Sequence, residues 1–475
     1  MPTPPPIKLP NAPGTTQALS RRLRLPVSAD EAFAWHERPG AFVRLTPPWE
    51  RVVVASHTGG IRPGAVVTLK TKVGPVWATW IARHTEYEPG RLFRDVQDAG
   101  PFAFWDHRHE FAPVGAEACE LHDNIAYRLP LGPIGQAFGG RLIRGKLARM
   151  FDYRHRVTLG DLSMHARYAD RPRLRVLVSG ASGVIGTQLC AMLSTGGHTV
   201  ARLVRRVASG PDEISWDPAR GTINIDDVRA FDPDAVVNLA GENIRGRWTT
   251  ASKQRLRDSR IDSTALLART LAFLGPSARG GRSMLSASGV NFYGPTGDTP
   301  VDEHAPAGEG FLATLARDWE AATLAAREAG IRVVRLRIGW VLTPAGGALA
   351  GMLPAFRLGL GGPMGPGTQH VPWISIDDCC GSIVHALLTP GVSGPVNIVA
   401  PAPVRNAEFA KTLGRVIGRP AGLRAPAWAV RALLGEFADQ GPLGGQRCVP
   451  RVLSESGYDF RHPELGRALA HVLGR

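Results

Sequence analysis

The chain has 475 residues, 44% of them hydrophobic and 20% charged. That is a globular composition with room for two or three domains, and it excludes a disordered, collagen-like or coiled-coil protein. Lys and Arg number 56 against 41 Asp and Glu, a formal charge of +15, which suits nucleic acid, anionic membrane or phosphate-bearing ligands; with no nucleic-acid motif and no interleaved basic and aromatic stripe, an arginine-rich composition is the simpler source, and no nucleic-acid partner is expected.

Residues 1–17 are polar and proline-rich and read as a disordered tail. Arg21-Arg22 is followed by a run broken by charge and proline, so neither a signal peptide nor a twin-arginine leader is read there. From residue 18 to residue 162 the pattern is strand-like with a helix near each end. Ser28 caps a short helix through Trp35, with Asp30 and Glu31 in its first turn. Six strands rich in β-branched and aromatic residues follow, at 52–56, 65–72, 76–87, 92–97, 102–111 and 117–128, separated by Gly/Pro turns. A long helix then runs from about Ile134 to Thr158, with Ile134, Phe138, Leu142, Leu147 and Phe151 on one side.

A curved antiparallel sheet gripping a long helix encloses an apolar space suited to a hydrophobic ligand. This element order resembles the helix-grip superfamily of START-like and polyketide-cyclase-like ligand-binding domains. Trp77, Trp80, Phe102, Phe104 and Trp105 are expected to be mainly core. His107 and His109 share one strand face with no third ligand in view, so no metal site is expected. Residues 163–173, polar and basic, read as a linker.

Beyond the linker, strands at 175–179, 199–204, 235–239, 282–287, 333–338 and 395–399 alternate with helical segments, the pattern of a doubly wound parallel sheet. The first strand runs into Gly180, Gly183 and Gly186, and a helix is expected from Thr187. Glycine serves where a chain turns tightly, where backbone meets a diphosphate and where helix meets sheet, so this strand–turn–helix reads as a dinucleotide site. An NAD site places an acid on the second strand to accept from the ribose 2′-hydroxyl. Here stand Arg202, Arg205 and Arg206, whose guanidinium groups suit a 2′-phosphate, so NADP(H) is the expected cofactor.

These segments bring a family into view. Gly180–Gly186, Ile214–Pro218, Val237–Ile244, Asp258–Arg260, Ser286–Ser288, Tyr293-Gly294, Phe356–Gly362, Trp373–Asp378 and Pro403–Asn406 together resemble the epimerase-like subfamily of extended short-chain dehydrogenase/reductases, often labelled "cell division inhibitor". The resemblance implies an α/β fold: a Rossmann-type doubly wound parallel sheet at 174–424 with a small C-terminal extension at 425–475, preceded by the α+β helix-grip domain. It implies that Gly180, Ser182, Gly183, Ile185 and Gly186 cradle the pyrophosphate and that Arg205 meets the 2′-phosphate. Leu239, Ala240 and Gly241 would pass the adenosine side of the cofactor, and Arg260 would be a further contact.

The chain departs from its superfamily at the catalytic Tyr-x-x-x-Lys, where Leu312 and Ala316 stand instead. Ser288, Tyr293 and Glu320 are the candidate catalytic replacements, of which Ser288 and Tyr293 are preferred and Glu320 is read rather as a structural carboxylate. Asp377 and Asp378 are expected to cap a helix, and Gly361, Gly362 and Trp373 are pocket candidates or core. Two readings follow. One is an NADP(H)-dependent oxidoreductase or epimerase-like enzyme with non-standard catalytic residues and a small-molecule substrate. The other is a non-catalytic NADP(H)-binding protein coupled to a hydrophobic ligand of the N-terminal domain. Five scattered cysteines without a CxxC pair exclude a disulfide frame or zinc module, no run of about 18 apolar residues predicts a membrane span, and a cytoplasmic location is expected.

Overall fold

The computed structural model describes residues 16–475 other than Pro75; the expected tail falls outside them except for its last two residues, and Gln17 already opens the first strand. The chain divides into two compact units, one ending at Ala169 and one beginning at Asp170.

In the first unit, β1 (Gln17–Leu25) leads into α1 (Ala29–Glu37) and α2 (Ala41–Leu45). The Ser28 side chain accepts from the Glu31 N–H and caps α1, as its sequence predicts. Six strands follow: β2 (Val52–His57), β3 (Val66–Val73), β4 (Val76–Glu88), β5 (Leu92–Ala99), β6 (Phe104–Pro113) and β7 (Cys119–Arg128). The seven form one antiparallel sheet in the order β1-β7-β6-β5-β4-β3-β2, which α3 (Gly132–Arg167) crosses. One core gathers Phe33, Trp35, Phe93, Phe111 and Leu162. A second gathers Trp105, Ile125, Tyr127, Leu147 and Phe151, with Trp80 and Phe102 packed on it; Trp77 is instead exposed.

Two expectations need correction here. The helix continues to Arg167, so the first five residues of the expected 163–173 linker are its last turns. Ile134, Phe138 and Leu142 are also not core, being 64%, 90% and 72% exposed. The reason is length. A 36-residue helix spans about 54 Å, whereas the nine residues of β1 span about 30 Å, so the first turns of α3 overhang the sheet.

The second unit opens with β8 (Arg175–Ser179), α4 (Val184–Thr195) and β9 (Thr199–Val204). Then come β10 (Glu213–Asp217), β11 (Thr222–Ile223), α5 (Ile225–Phe231), β12 (Ala235–Asn238), α6 (Thr250–Leu274) and β13 (Ser283–Gly289). They are followed by α7 (Phe311–Ala321), α8 (Leu324–Glu328), β14 (Arg332–Ile338), β15 (Trp340–Leu342), α9 (Gly347–Arg357) and β16 (His370–Val371). Next are β17 (Trp373–Ser375), α10 (Ile376–Leu388), β18 (Gly394–Ile398), β19 (Val404–Arg405) and α11 (Asn406–Ile417). The extension supplies α12 (Ala427–Leu434), α13 (Phe437–Gln440), α14 (Arg451–Glu455) and α15 (Leu465–Leu473).

The main sheet runs β11-β10-β9-β8-β12-β13-β14-β18 and is parallel except at the short edge strand β11. Strand order reverses between β8 and β12, and such a switch point opens a crevice at the carboxyl ends of the strands. Ser375, not the neighbouring acids, caps α10 by accepting from the Asp378 N–H. Asp378 instead reaches the C-terminal segment, accepting from the N–H groups of Arg461 and His462 at 2.7 and 3.0 Å and from the Tyr458 hydroxyl. Among the described residues no helix is long and apolar enough to cross a membrane.

Candidate functional site

The crevice begins at the turn after β8. Gly180 sits at φ +67° with the Leu239 carbonyl against it, and a Cβ there would lie 2.7 Å from that oxygen. A Cβ on Gly186 would meet the Gly180 oxygen at 2.2 Å and the Ala181 Cα at 2.8 Å. Both positions therefore demand glycine. Helix α4 starts three residues earlier than its sequence predicts, with Gly183 as N-cap and no side chain bonded to its first turn. Its leading N–H groups thus keep their positive ends for an anion, which is what a diphosphate needs.

The neighbouring strand end is fixed by a buried polar chain. Ser179 Oγ donates to Asn238 Oδ1 at 2.5 Å, while Asn238 Nδ2 and Trp319 Nε1 both donate to Thr264 Oγ1 at 2.8 Å. This holds Leu239, Ala240 and Gly241 in the wall facing the glycine turn. Arg260 reaches the same wall from α6, donating to the Leu256 and Glu242 carbonyls, with its guanidinium 5.1 Å from the Trp319 ring centre. Burial lowers its pKa to about 10, and among the described residues no carboxylate forms an ion pair with it. A buried cation of this kind favours an anionic ligand.

The three second-strand arginines differ in what they hold. Arg202 pairs with Asp212 at 2.6 Å. Arg206 grips Glu213 with two bonds of 2.7 and 2.6 Å, and that guanidinium, with the Ser209 N–H and hydroxyl, holds the Glu213 carboxyl down to about 2. Arg205 is exposed just past the end of β9, with no side-chain partner among the described residues.

Between these elements lies a cavity of about 1020 Å³. Helix α7 turns Leu312, Leu315, Ala316 and Trp319 into it, so the positions of the missing tyrosine and lysine form an apolar wall. Ser288 also lines it and donates to Glu320 Oε1 at 2.9 Å. Arg337 grips that carboxylate at 2.8 and 3.0 Å, and both partners are almost fully buried. Because its proton is committed to Glu320, Ser288 presents lone pairs to the cavity and suits a substrate hydroxyl as acceptor. Tyr293 does not line the cavity. Its hydroxyl donates to Asn397 Oδ1 at 2.7 Å and accepts from Arg337 at 2.9 Å, and burial raises its pKa above the ordinary tyrosine value. Both features make it a structural member of the network.

The cavity thus brings together Gly180, Gly183, Ile185, Gly186, Leu239, Ala240, Gly241, Arg260 and Ser288. Ser182, exposed on the turn, and Arg205 lie outside its wall, as do Gly361, Gly362 and Trp373. The far wall was not foreseen: Trp340, Met352 and Met364 contribute, with Val430, Leu434 and Phe437 from the extension. The amphipathic run 427–434 carries the only sequence signal for it.

Three family models match the chain: NAD dependent epimerase/dehydratase family at residues 176–399, polyketide cyclase/dehydrase and lipid transport at 25–151, and a domain of unknown function, DUF1731, at 425–472. An epimerase family protein of Mycobacterium bovis is 46% identical over 301 residues, 63% of this chain and 98% of the relative. The human epimerase family protein SDR39U1 is 39% identical, over 63% of this chain and all of its own. Among solved structures, the human SDR39U1 with NADPH matches 63% of this chain and 99% of its own at TM-score 0.56 and 38% identity. A structure titled nucleoside-diphosphate sugar epimerase, from Corynebacterium glutamicum, matches 96% of this chain and 90% of its own at TM-score 0.78 and 32% identity. The glycine cradle, the parallel sheet around it and relatives matched along nearly their whole length agree, and the chain belongs to the NAD dependent epimerase/dehydratase family, with a DUF1731 extension behind the reductase-like domain and a polyketide-cyclase and lipid-transport type domain ahead of it.

Proposed function

We propose that the second unit binds NADP(H) and acts as an oxidoreductase or epimerase-like enzyme on a small molecule with an apolar body and a hydroxyl or carbonyl group. The observation that carries this is the pairing of a side-chain-free helix start at Gly183 with an Arg205 guanidinium that is unengaged among the described residues, which fits a diphosphate and a 2′-phosphate on one molecule. The human relative crystallised with NADPH supports the same choice.

When bound, the cofactor supplies or accepts hydride. Gly180, Gly183 and Gly186 hold the diphosphate, Arg260 adds positive charge beside Gly241, and Ser288 accepts from the substrate hydroxyl. Leu312, Ala316 and Trp319 keep water from the reacting carbon. General acid–base help contributes about 10²–10⁴-fold, and the apolar face of α7 withholds it, so turnover is slow. That same face supports a second reading, in which the unit holds NADP(H) without rapid chemistry. The N-terminal domain is read as the carrier of a hydrophobic ligand.

Titration with NADPH, NADH, NADP+ and NAD+ following tryptophan fluorescence tests the proposal, since Trp319 and Trp340 line the cavity. A preference of at least about tenfold for NADPH, with hydride transfer to a carbonyl panel, supports the enzyme. Binding without transfer leaves the second reading, and no binding of any dinucleotide overturns both.

A further inference from the structure

The first unit buries a set of histidines and carboxylates that the dinucleotide site does not use. On one face of its sheet, Asp95 of β5 pairs across to His107 of β6, and His109 of β6 pairs across to Asp123 of β7. Helix α3 covers them, with Phe151 against the His107 ring at 5.2 Å and His155 Nε2 bonded to Asp123 Oδ2 at 2.7 Å. His107, His109 and Asp123 are each less than a tenth exposed.

Asp123 fixes the protons of this group. Its Oδ1 lies 3.2 Å from His107 Nε2 and 2.7 Å from His109 Nδ1. Two lone pairs do not share such distances, so both of these nitrogens carry hydrogen. In the neutral imidazoles the other nitrogens, His107 Nδ1 and His109 Nε2, are then bare acceptors. Both converge on Asp95 Oδ1, at 3.6 and 3.9 Å, and all three atoms lie within 4.8 Å of one another. Three acceptors facing each other in a largely buried place repel unless a proton or a metal cation sits among them.

We propose that Asp95, His107 and His109 bind a divalent first-row transition metal, with zinc as the best-fitting ion. Zinc bonds of about 2.0–2.2 Å place tetrahedral donor atoms about 3.3–3.6 Å apart, and the two histidine-to-Asp95 spacings, 3.6 and 3.9 Å, are close to that range. Ligating histidines characteristically give their second nitrogen to a carboxylate, which orients the ring and raises its basicity; Asp123 does this for His107, and its Oδ1 also stands 2.7 Å from His109 Nδ1, off the line of a hydrogen bond. Three protein ligands leave a fourth position open, the arrangement of sites that take water or a ligand oxygen. The sequence hides the site because its third ligand comes from the neighbouring strand, 12 residues before His107.

The test uses the full chain, stripped with a chelator and titrated with Zn²⁺ against a chromophoric competitor. One Zn²⁺ per chain is expected, and Co²⁺ in its place should show the intense visible absorption of a four-coordinate nitrogen and oxygen site. Asp95→Asn and His109→Gln should abolish both signals. Asp123→Asn should keep the metal but weaken it about 10–100-fold, a graded loss that unfolding would not give, and tryptophan emission of each metal-free variant checks the fold. No saturable binding to the wild-type chain, or binding that survives Asp95→Asn and His109→Gln in folded protein, overturns the proposal. The latter result would place the ion elsewhere, for example at Asp377, His462 and His471.

Discussion

Replacing each of three neighbouring arginines separates a cofactor contact from a surface ion pair. Arg205→Ala removes the guanidinium at the β9 end that has no side-chain partner among the described residues. A charge-assisted hydrogen bond contributes about 1.5–3 kcal/mol, so this change should weaken NADPH about 10–150-fold. NADH lacks the 2′-phosphate, and its affinity should stay within about twofold of wild type, well under the 1.4 kcal/mol of a tenfold change. Arg206→Ala breaks a different contact, the two-bond grip on Glu213, and should leave the NADPH to NADH ratio near wild type. Arg202→Ala should do the same, because Arg202 is held by Asp212. The assay is tryptophan quenching by each nucleotide at about 0.1 M salt, where charges roughly 10 Å apart are already strongly screened. Should Arg206→Ala abolish the preference while Arg205→Ala retains it, the reasoning from unengaged groups fails, and Glu213 must release its arginine on binding.

Three further outcomes are expected. Gly186→Ala places a methyl group 2.2 Å from the Gly180 oxygen, so α4 must retreat from the diphosphate, and NADPH and NADH should weaken together by more than about tenfold; equal affinity by the same titration would show that the cradle is not used. Glu320→Gln leaves the buried Arg337 without its carboxylate, and breaking a buried pair costs about 3–5 kcal/mol. Thermal or denaturant unfolding measures it, and a loss below about 1 kcal/mol would argue that water already serves Arg337. Tyr293→Phe should cost about 1–3 kcal/mol, because Asn397 and Arg337 lose a buried partner. Its dinucleotide affinities should be unchanged, and a large fall in turnover with intact stability would restore Tyr293 as a proton donor.

What the sequence discloses about this chain depends on how far apart the cooperating residues lie. The glycine cradle was legible because strand, turn and helix are contiguous from Arg175 to Gly186, although the helix start was placed at Thr187 when Val184 begins it. The capping of α1 by Ser28 was legible for the same reason. Strands β10 and β11 were missed: β11 has only two residues, and β10, with a charged or polar residue at every other position, lacks the apolar run that marks β8 and β12. The exposed first turns of α3 carry a regular apolar stripe, and only the length of the sheet beneath reveals that it is not core. Tyr293 looked available because its partners Arg337 and Asn397 lie 44 and 104 residues away. The far wall of the cavity was hidden likewise, since the extension returns to a crevice whose opening glycine is Gly180.

Asp378 gives this architecture a timetable. Its carboxylate accepts from the nearby Ser375 hydroxyl and from groups 80, 83 and 84 residues further along the chain, and Asn397 of the edge strand β18 likewise donates to the Val449 carbonyl. At synthesis rates of about 5–20 residues per second, a span of 80 or so residues takes roughly 4–16 s. During that interval helix α10 holds a carboxylate with only its Ser375 donor in place, and the wall supplied by Val430, Leu434 and Phe437 is not yet fastened. The reductase-like unit therefore completes late and from its C-terminal end, so a ribosome stalled before residue 461 would display an open apolar crevice that a chaperone must cover.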